Sequence, residues 1–301
     1  MSESKWLSYE FLSCLSLFDK TVSIHHFLDA DSGRTSIEVD FTIDEIHFAQ
    51  AKAALDWCRQ AGATILYPGH ADFPEAFLLL SDPPLFLSCF GPPVWKDCRC
   101  LSVVGSRDPS RASLGWMETH LLEFIRRTGA ATVSGGARGI DQKAHALSLR
   151  SKRPTIIFLP SGLGDPYPPE IGYWNKEVLQ TGGAILSPYA PMQGVRKMHF
   201  EGRNRLIAAL GQVLFVVEAR RRSGSLMTSR LAREVDRTVC VLPSFPDEPR
   251  SMGTLDLLFD GGFPLRDAND LQSLFELSRP LPSVPIPKRQ MLLRNCHNSG
   301  N

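Results

Sequence analysis

The chain has 301 residues, of which 43% are hydrophobic and 22% charged, enough apolar material for one large or two modest domains with a sizeable core. Its formal net charge of +1 means that overall charge gives no reason to expect nucleic-acid binding. The charge is unevenly distributed, however, because residues 1–90 carry a net charge of −8 and residues 91–301 a net charge of +9. No apolar run approaches the ~18 residues that span a bilayer and no apolar signal segment follows Lys5, so we expect a cytoplasmic protein that does not enter a membrane.

Residues 1–62 predict a small helical N-terminal domain. Apolar side chains recur at helical spacing between Leu7 and Phe18, and a second helical stretch runs from about residue 42 to residue 60. The next segment, residues 63–98, contains repeated prolines and glycines, which interrupt long helices. We interpret this segment as a turn-rich connector that joins the core.

Strands and helices alternate regularly from residue 99 to residue 278. Short β-branched runs predict strands over 101–104, 130–133, 155–159, 184–186, 213–217 and 238–242, and helical patterns lie over 113–127, 142–150, 169–180, 203–210 and 226–235. Near-continuous apolar strands that alternate with helices are typical of a parallel sheet covered on both faces. We therefore predict a doubly wound α/β core over residues 99–278, followed by a Pro-rich basic tail over residues 279–301.

The seven cysteines predict neither a disulfide framework nor a metal site. They are odd in number and scattered, and Cys98 and Cys100 form only a C-x-C pair with no second pair to complete a zinc site. We expect reduced thiols in a cytosolic protein, with no metal and no cofactor.

Two glycine-containing loops follow predicted strands, at the sheet edge where doubly wound proteins bind ligands. Gly105, Ser106 and Arg107 follow the first core strand, and the segment 134–141, with Gly135 and Gly136, follows the second. Such glycines let backbone amides approach an anion at a helix N-terminus, although tight packing of a helix on a strand requires glycine too. Neither loop matches the Walker or dinucleotide-binding glycine pattern.

Three arginines lie where a positive charge is locally unfavourable. Arg107, Arg138 and Arg203 fall at or near predicted helix starts, where a cation opposes the helix dipole by ~0.3–1 kcal/mol. Arg203 also shares a helical face with Leu206 and Leu210, so we expect its side chain to point toward the sheet. An internal carboxylate or a ligand phosphate satisfies such a cation, and three arginines at one sheet edge favour the phosphate.

Residues 196–237 form the most basic part of the core, with ten Lys and Arg against four acids. Arg221 lies in a run of three arginines that leads to Ser223 and Gly224, and Ser225 is a candidate N-cap of the next helix. These arginines are as consistent with a solvated loop as with contacts to a nucleic-acid backbone.

Phe200 and the pair Asp141 and His145 are two further candidates for a chemical role. Phe200 is a candidate surface for base stacking, although burial is the commoner outcome for such an aromatic. His145 follows Asp141 by four residues on one helical face, but no nucleophile is fixed beside the pair, and we assign it a structural role.

Taken in order, these segments resemble the DNA-processing proteins called DprA or Smf. The matching segments are Val104-Gly105-Ser106-Arg107, 134–141 with Ala144-His145, Tyr167-Pro168, Phe200 with Arg203-Asn204-Arg205, Ser223-Gly224-Ser225-Leu226 with Thr228, the glycine-flanked segment 253–262 and, upstream, Tyr67-Pro68 and Asp82-Pro83-Pro84-Leu85 with Gly91. They cover roughly residues 65–265 and are specific as a set rather than singly.

The resemblance implies an extended Rossmann-like core that binds single-stranded DNA without strong sequence preference. It implies a homodimer that protects incoming DNA and loads the RecA recombinase during natural transformation and homologous recombination, with no catalytic residue. Arg107 and Arg203 stand at the positions of phosphate-contacting arginines, and Gly135, Gly136 and Asn204 at positions that shape the pocket. The candidate DNA-binding residues are Ser106, Arg107, Gly135, Gly136, Arg138, Lys197, Phe200, Arg203, Asn204, Arg221, Ser223 and Gly224.

The sequence departs from the family at two places. Pro188 stands where the family usually has an acidic residue, so this position does not supply that carboxylate here. Many members end in a winged-helix domain, and the segment after Arg279 is too short for one, so we expect no function that depends on that module.

Two other functions would use the same site at the carboxyl ends of the strands. One is a nucleotide hydrolase similar to the cytokinin-activating phosphoribohydrolases, but their P-G-G-x-G-T loop is absent and Glu218 is the only candidate acid at a suitable strand end. The other is a domain that senses a small nucleotide, because one anion site serves either ligand.

Overall fold

The N-terminal part of the molecule combines two helices with a two-stranded sheet. The computed structural model describes residues 5–27, 35–246 and 248–278. In it, β1 (Lys5–Ser8) pairs antiparallel with β2 (Ser36–Val39), and α1 (Tyr9–Leu15) packs on α2 (Glu45–Ala61) around an apolar cluster of their own. The helices agree with the sequence interpretation, whereas the strand pair was not predicted, because β1 runs directly into α1 and its Leu7 fits the helical spacing of the residues that follow.

Helix α2 is fixed at both ends by its own sequence. The Asp44 carboxylate accepts a hydrogen bond from the Ile46 N–H at 2.8 Å, which satisfies one of the unpaired donors of the first turn. The helix ends at Gly62, whose φ of +69° lies in the left-handed region that glycine adopts without strain.

A nine-stranded sheet organises the rest of the chain. Its strands are β3 (Thr64–Leu66), β4 (Leu87–Phe90), β5 (Cys100–Val104), β6 (Ala131–Ser134), β7 (Thr155–Phe158), β8 (Ala184–Ser187), β9 (Val213–Val216), β10 (Thr238–Val241) and β11 (Phe263–Pro264), in the order β11-β10-β9-β5-β6-β7-β8-β4-β3. The seven strands from β11 to β8 are parallel, and β4 and β3 extend the sheet antiparallel at one edge. These two edge strands come from the segment interpreted as a turn-rich connector.

Helices cover both faces of this sheet. They are α3 (Val94–Asp97), α4 (Arg111–Trp116), α5 (Leu122–Thr128), α6 (Ile140–Arg150), α7 (Glu170–Gln180), α8 (Lys197–Leu210), α9 (Gly224–Glu234), α10 (Met252–Phe259) and α11 (Ala268–Leu277), with a single π-helical turn between α4 and α5. In β5, Cys100 and Val104 pack on the side of α8 and α9, while Leu101 and Val103 pack on the side of α5 and α6. This period of two confirms the predicted doubly wound α/β fold.

The order of the strands reverses next to β5. The chain passes from β5 outward through β6, β7 and β8, then returns to β9 on the other side of β5 and continues to β10 and β11. The loops that leave β5 and β9 therefore run in opposite directions and open a crevice beyond the carboxyl ends of these two strands.

Two helix starts differ from the sequence interpretation. Helix α8 begins at Lys197 rather than at residue 203, because its first two residues, Lys197 and Met198, are exposed and the apolar spacing gives no signal there. Helix α9 begins at Gly224 with Ser223 at the N-cap, so the assignment of Ser225 as the cap was wrong. The Ser225 hydroxyl instead donates to the Gly105 carbonyl at 3.1 Å and ties the two strand-end loops together. Within the described ranges, no helix is both long and apolar enough to cross a membrane.

Candidate nucleic-acid interface

Two open cavities lie side by side at the carboxyl ends of β9, β5, β6 and β7. The first, of about 400 Å³, lies over β5 and β9, and its lining includes Ser106, Asn204, Arg220, Ser223, Gly224 and Thr228. The second, of about 470 Å³, lies over β6 and β7, and its lining includes Gly135, Arg138, Gln142, Tyr167 and Glu170. Both are lined by Arg107, Asp108, Ala137, Phe200 and Arg203. Because they share these walls, the two cavities form one continuous furrow, and we use that name for them.

Arg203 is a buried cation at the centre of the furrow. Its exposed fraction is 4%, and within the described residues it forms no ion pair and its Nε atom has no hydrogen-bond partner. Burial lowers the pKa of Arg203 to about 10, while the charge of Asp141 opposes that shift, so the guanidinium stays protonated at neutral pH. A buried, incompletely paired cation beside a cavity is a strong attraction for an anion.

Gly135 provides the space that the Arg203 guanidinium occupies. A Cβ atom built on Gly135 would overlap Nη1 of Arg203. The glycine loop after β6 is held in place by Asp141, whose carboxylate accepts the N–H of Gly135 at 3.2 Å and of Ala137 at 3.3 Å. Asp141 is thus the internal carboxylate whose charge acts on Arg203, and its Oδ2 atom accepts both loop amides.

Phe200 contacts two guanidinium groups in the furrow. The Arg107 guanidinium carbon is 5.3 Å from the centre of the Phe200 ring, and that of Arg203 is 6.0 Å away. Tyr167 meets the same ring edge-on, with 6.1 Å between the ring centres. Contacts of this kind hold an aromatic ring in one orientation, so Phe200 offers a fixed flat surface flanked by positive charge.

The loop after β9 supplies donors to the other wall of the furrow. The Ser223 hydroxyl is buried, and no hydrogen-bond partner for it exists among the residues that the structure describes. Helix α9 starts directly after it, and the first N–H groups of a helix have no intrahelical partner. Arg220 is exposed in the same wall. Hydroxyl, amide and guanidinium donors therefore converge where an anion from outside the molecule would sit.

The furrow carries excess positive charge. Arg107, Arg138, Arg203 and Arg220 line it, and none of them is in an ion pair within the described part of the chain. Among the lining carboxylates, Asp108 contacts Arg250 at 3.4 Å, Asp141 is engaged by the loop amides, and Glu170 forms no ion pair within the described residues, so that four arginines face three carboxylates. The furrow is therefore an open site with unneutralised guanidinium groups.

Three of the twelve candidate residues lie outside the furrow lining. Gly136 is buried, and its φ of +70° and its contact with Ile171 explain the glycine by backbone shape and packing. Lys197 is exposed at the start of α8, one turn before Phe200. Arg221 is engaged by Asp256, with Nε–Oδ2 and Nη2–Oδ1 distances of 2.8 and 2.9 Å.

Arg220 lines the furrow but was not among the candidates. The run of three arginines after β9 was the signal, but spacing within a loop does not reveal which member turns toward the cavity. Gln142 was also missed, because its position on α6 carries no charge or glycine pattern.

Glu218 and His145 are buried and have hydrogen-bond partners inside the protein. Glu218 is fully buried, accepts the Ser110 N–H at 3.0 Å and the Ser113 hydroxyl at 2.8 Å, and lines neither cavity of the furrow. His145 is buried with Nδ1 at 2.6 Å from the Thr155 hydroxyl, and burial lowers its pKa to about 3. In the described ranges, no three His, Cys, Asp or Glu side chains are grouped so as to hold a metal ion.

Comparisons with known proteins identify the family of this chain. The family model of DNA recombination-mediator protein A matches residues 64–276. Protein Smf of Synechocystis sp. is 31% identical over 220 residues, which are 71% of this chain and 54% of that protein. DNA processing protein DprA of Bacillus subtilis is 30% identical over 214 residues, 71% of each protein. The chain thus spans between about half and about seven tenths of these relatives.

Two solved structures share the fold. DNA processing protein A of Streptococcus pneumoniae has a TM-score of 0.68 at 26% identity, over 89% of this chain and 93% of that one. DNA processing protein A of Helicobacter pylori has a TM-score of 0.63 at 30% identity, over 72% of this chain and 97% of that one. The second structure was described for its single-stranded DNA binding mode.

Proposed function

The chain belongs to the DNA recombination-mediator protein A family, and on that premise we propose that it binds single-stranded DNA along the furrow at the carboxyl ends of β9, β5, β6 and β7. The observation that carries this proposal is the set of guanidinium groups that line an open furrow without ion pairs in the described ranges. A DNA backbone supplies the anions that these groups lack.

Phosphate contacts dominate the proposed mode of binding. Arg107, Arg138, Arg203 and Arg220 each offer a cation to the strand, and the buried Ser223 hydroxyl and the start of α9 add neutral donors. Such contacts position a strand without reading its sequence. Phe200 adds a stacking surface that accepts any base, because every base has a π-face. We therefore expect binding with little sequence preference.

A binding role is better supported than a hydrolytic one. Glu218, the acid considered for nucleotide hydrolysis, caps the start of α4 through Ser110 and Ser113 and does not line the furrow. No other acid at the end of β9 replaces it in the described lining. We therefore propose a DNA-binding mediator with no catalytic residue and no cofactor.

The wider role follows the family. We propose a cytoplasmic homodimer that protects incoming single strands and loads RecA recombinase during transformation and recombination, with the DNA site on residues 99–278 and the N-terminal region outside it. Homodimerisation is supported by the exposed ring of Phe259 at the end of α10, since a large apolar side chain in water favours association. RecA as the partner rests on family membership alone.

The experiment compares single-stranded and duplex DNA of equal length and composition. We expect fluorescence anisotropy at moderate salt to give tighter binding to the single strand, because only an unpaired strand exposes bases to Phe200. Free nucleoside monophosphates should compete poorly and should not be hydrolysed to free base. Preference for the duplex, or release of base, would overturn the proposed function.

A further inference from the structure

A second groove, which we call the aromatic groove, lies beside the furrow on the α4 side of the strand ends. Its volume is about 480 Å³, and its apolar walls are Trp116, Val217, Leu242, Pro243 and Phe245. Ser110 and Ser113 of this groove donate hydrogen bonds to the buried Glu218, which lines neither the groove nor the furrow.

The two aromatic side chains of the groove differ in packing and exposure. Trp116 is fixed, since its ring packs on Phe215 with 5.2 Å between centres and its indole N–H donates to the Arg266 carbonyl at 3.1 Å. Phe245 is 83% exposed and makes no ring contact within the described residues. An exposed Phe leaves apolar surface in water that a ligand can cover.

Positive charge links the groove to the furrow. Arg250 contacts Asp108, with an Nη2–Oδ2 distance of 3.4 Å, and thereby neutralises a carboxylate that lines both cavities of the furrow. Ser110, only two residues after Asp108, lines the aromatic groove, and two residues span at most ~7 Å. Arg111 is exposed beside Ser110 and forms no ion pair in the described ranges. Among the described lining residues, the groove has one carboxylate, Glu248, which accepts the Arg250 N–H at 3.3 Å.

We propose that the aromatic groove is a second base-binding subsite for the strand that occupies the furrow. The strand leaves the furrow over Arg250 and Arg111, which contact its backbone, and a base enters between Trp116 and Phe245. Cationic groups that alternate with aromatic surfaces are the usual design of sites for single-stranded nucleic acid. Continuity with the furrow and the basic rim favour this occupant over an apolar peptide. The subsite rests on the proposed function of the furrow and extends its footprint.

The test compares two lengths of labelled oligodeoxythymidine, about 5 and about 20 nucleotides, chosen to fill the furrow alone or both sites. We expect Phe245→Ala to weaken binding of the long strand by about 5- to 100-fold, the range for removal of one base stack, and to leave the short strand unaffected. Arg111→Gln, at an exposed arginine that forms no ion pair in the described ranges, should lower the salt dependence of the long strand alone. Trp6→Ala, which removes an aromatic that is 67% exposed in the N-terminal region, is the matched control and should change neither.

The outcomes separate the subsite from the furrow. If the wild-type protein binds neither length, the proposed function itself fails. If it binds both and Phe245→Ala leaves both affinities unchanged, or lowers them equally, the second subsite is wrong. If Phe245→Ala preserves the affinity for the long strand but weakens self-association in sedimentation, the groove holds protein rather than a base.

Discussion

Arg203 and Gly135 form one structural unit at the scale of single residues. The guanidinium occupies the volume that a Cβ on Gly135 would fill, and it is held there with an Nε that has no partner in the described ranges. The glycine is therefore required by a side-chain contact in addition to any backbone approach of a ligand. This contact gives a reason for the glycine that does not involve a bound nucleotide, because the loop after β6 must leave room for the Arg203 side chain, which comes from α8.

Replacement of Gly135 by Ala should displace the Arg203 guanidinium. We expect Gly135→Ala to weaken single-stranded DNA binding about as much as Arg203→Ala, because both remove the same cation from the furrow. Anisotropy titrations measure the affinity, and circular dichroism checks that the fold persists. Gly115→Ala is the control, since a Cβ there meets nothing within 4 Å and alanine favours a helix. Normal affinity in Gly135→Ala would contradict the assigned role of Arg203.

Much of the furrow was predictable from residue patterns. Arg203 was identified because it breaks an apolar helical face, and the structure buries it beneath the strand ends. The choice between Arg220 and Arg221 was not predictable, because their loop has no periodicity. The structure separates them by an ion pair between Arg221 and Asp256, a residue that follows 35 positions later.

At the scale of elements, helix α6 is anchored to β7 by a neutral histidine. His145 Nδ1 lies 2.6 Å from the Thr155 hydroxyl, and burial lowers the pKa of His145 from 6.5 to about 3. Between these two pH values the unfolded chain binds a proton at this residue and the folded chain does not. The free energy of unfolding therefore falls as the pH drops from about 6.5 toward 3, by up to about 1.4 kcal/mol per pH unit from this group.

His145→Gln should remove that contribution. We expect urea unfolding of the wild-type protein to show a steeper loss of stability between pH 6.5 and pH 4 than the variant shows. The variant itself should be less stable at pH 7, because its packing and its contact with Thr155 change. Parallel pH profiles for the two proteins would contradict a histidine that stays neutral in the fold.

The six parallel strands predicted for the core were all confirmed, and each observed end lies within one residue of its prediction. Continuous β-branched runs in a buried sheet leave little ambiguity. Strands β3 and β4 were missed because they are short and stand among prolines, and because their antiparallel pairing depends on partners distant in the sequence, β8 for β4 and β4 for β3. The start of α8 was missed because Met198 and Lys197 face solvent.

At the scale of the whole molecule, charge and topology place the candidate site at the same edge of the sheet. The reversal of strand order beside β5 opens the crevice, and the positive net charge of residues 91–301 supplies its cations. The resemblance drawn from ordered motifs is confirmed by the family match over residues 64–276.

Self-association should depend on the exposed end of α10. Phe259 is 93% exposed, and we expect Phe259→Glu to convert the proposed dimer into a monomer, because a charge in an apolar interface is unfavourable. Sedimentation equilibrium measures the mass. Tyr173→Glu, at a side chain that is 86% exposed on α7, is the control and should remain dimeric. A dimer that survives Phe259→Glu would place the interface elsewhere.

The most direct test of the furrow is the salt dependence of single-stranded DNA binding. Removal of one phosphate-binding cation should reduce the steepness of log K against log salt by about 0.7. We predict that the double variant Arg107→Ala, Arg203→Ala binds more weakly at every salt concentration and with a slope shallower by about 1 to 2. Arg127→Ala, near the amino ends of β5 and β6, should match the wild type. An unchanged slope and affinity in the double variant would contradict the account.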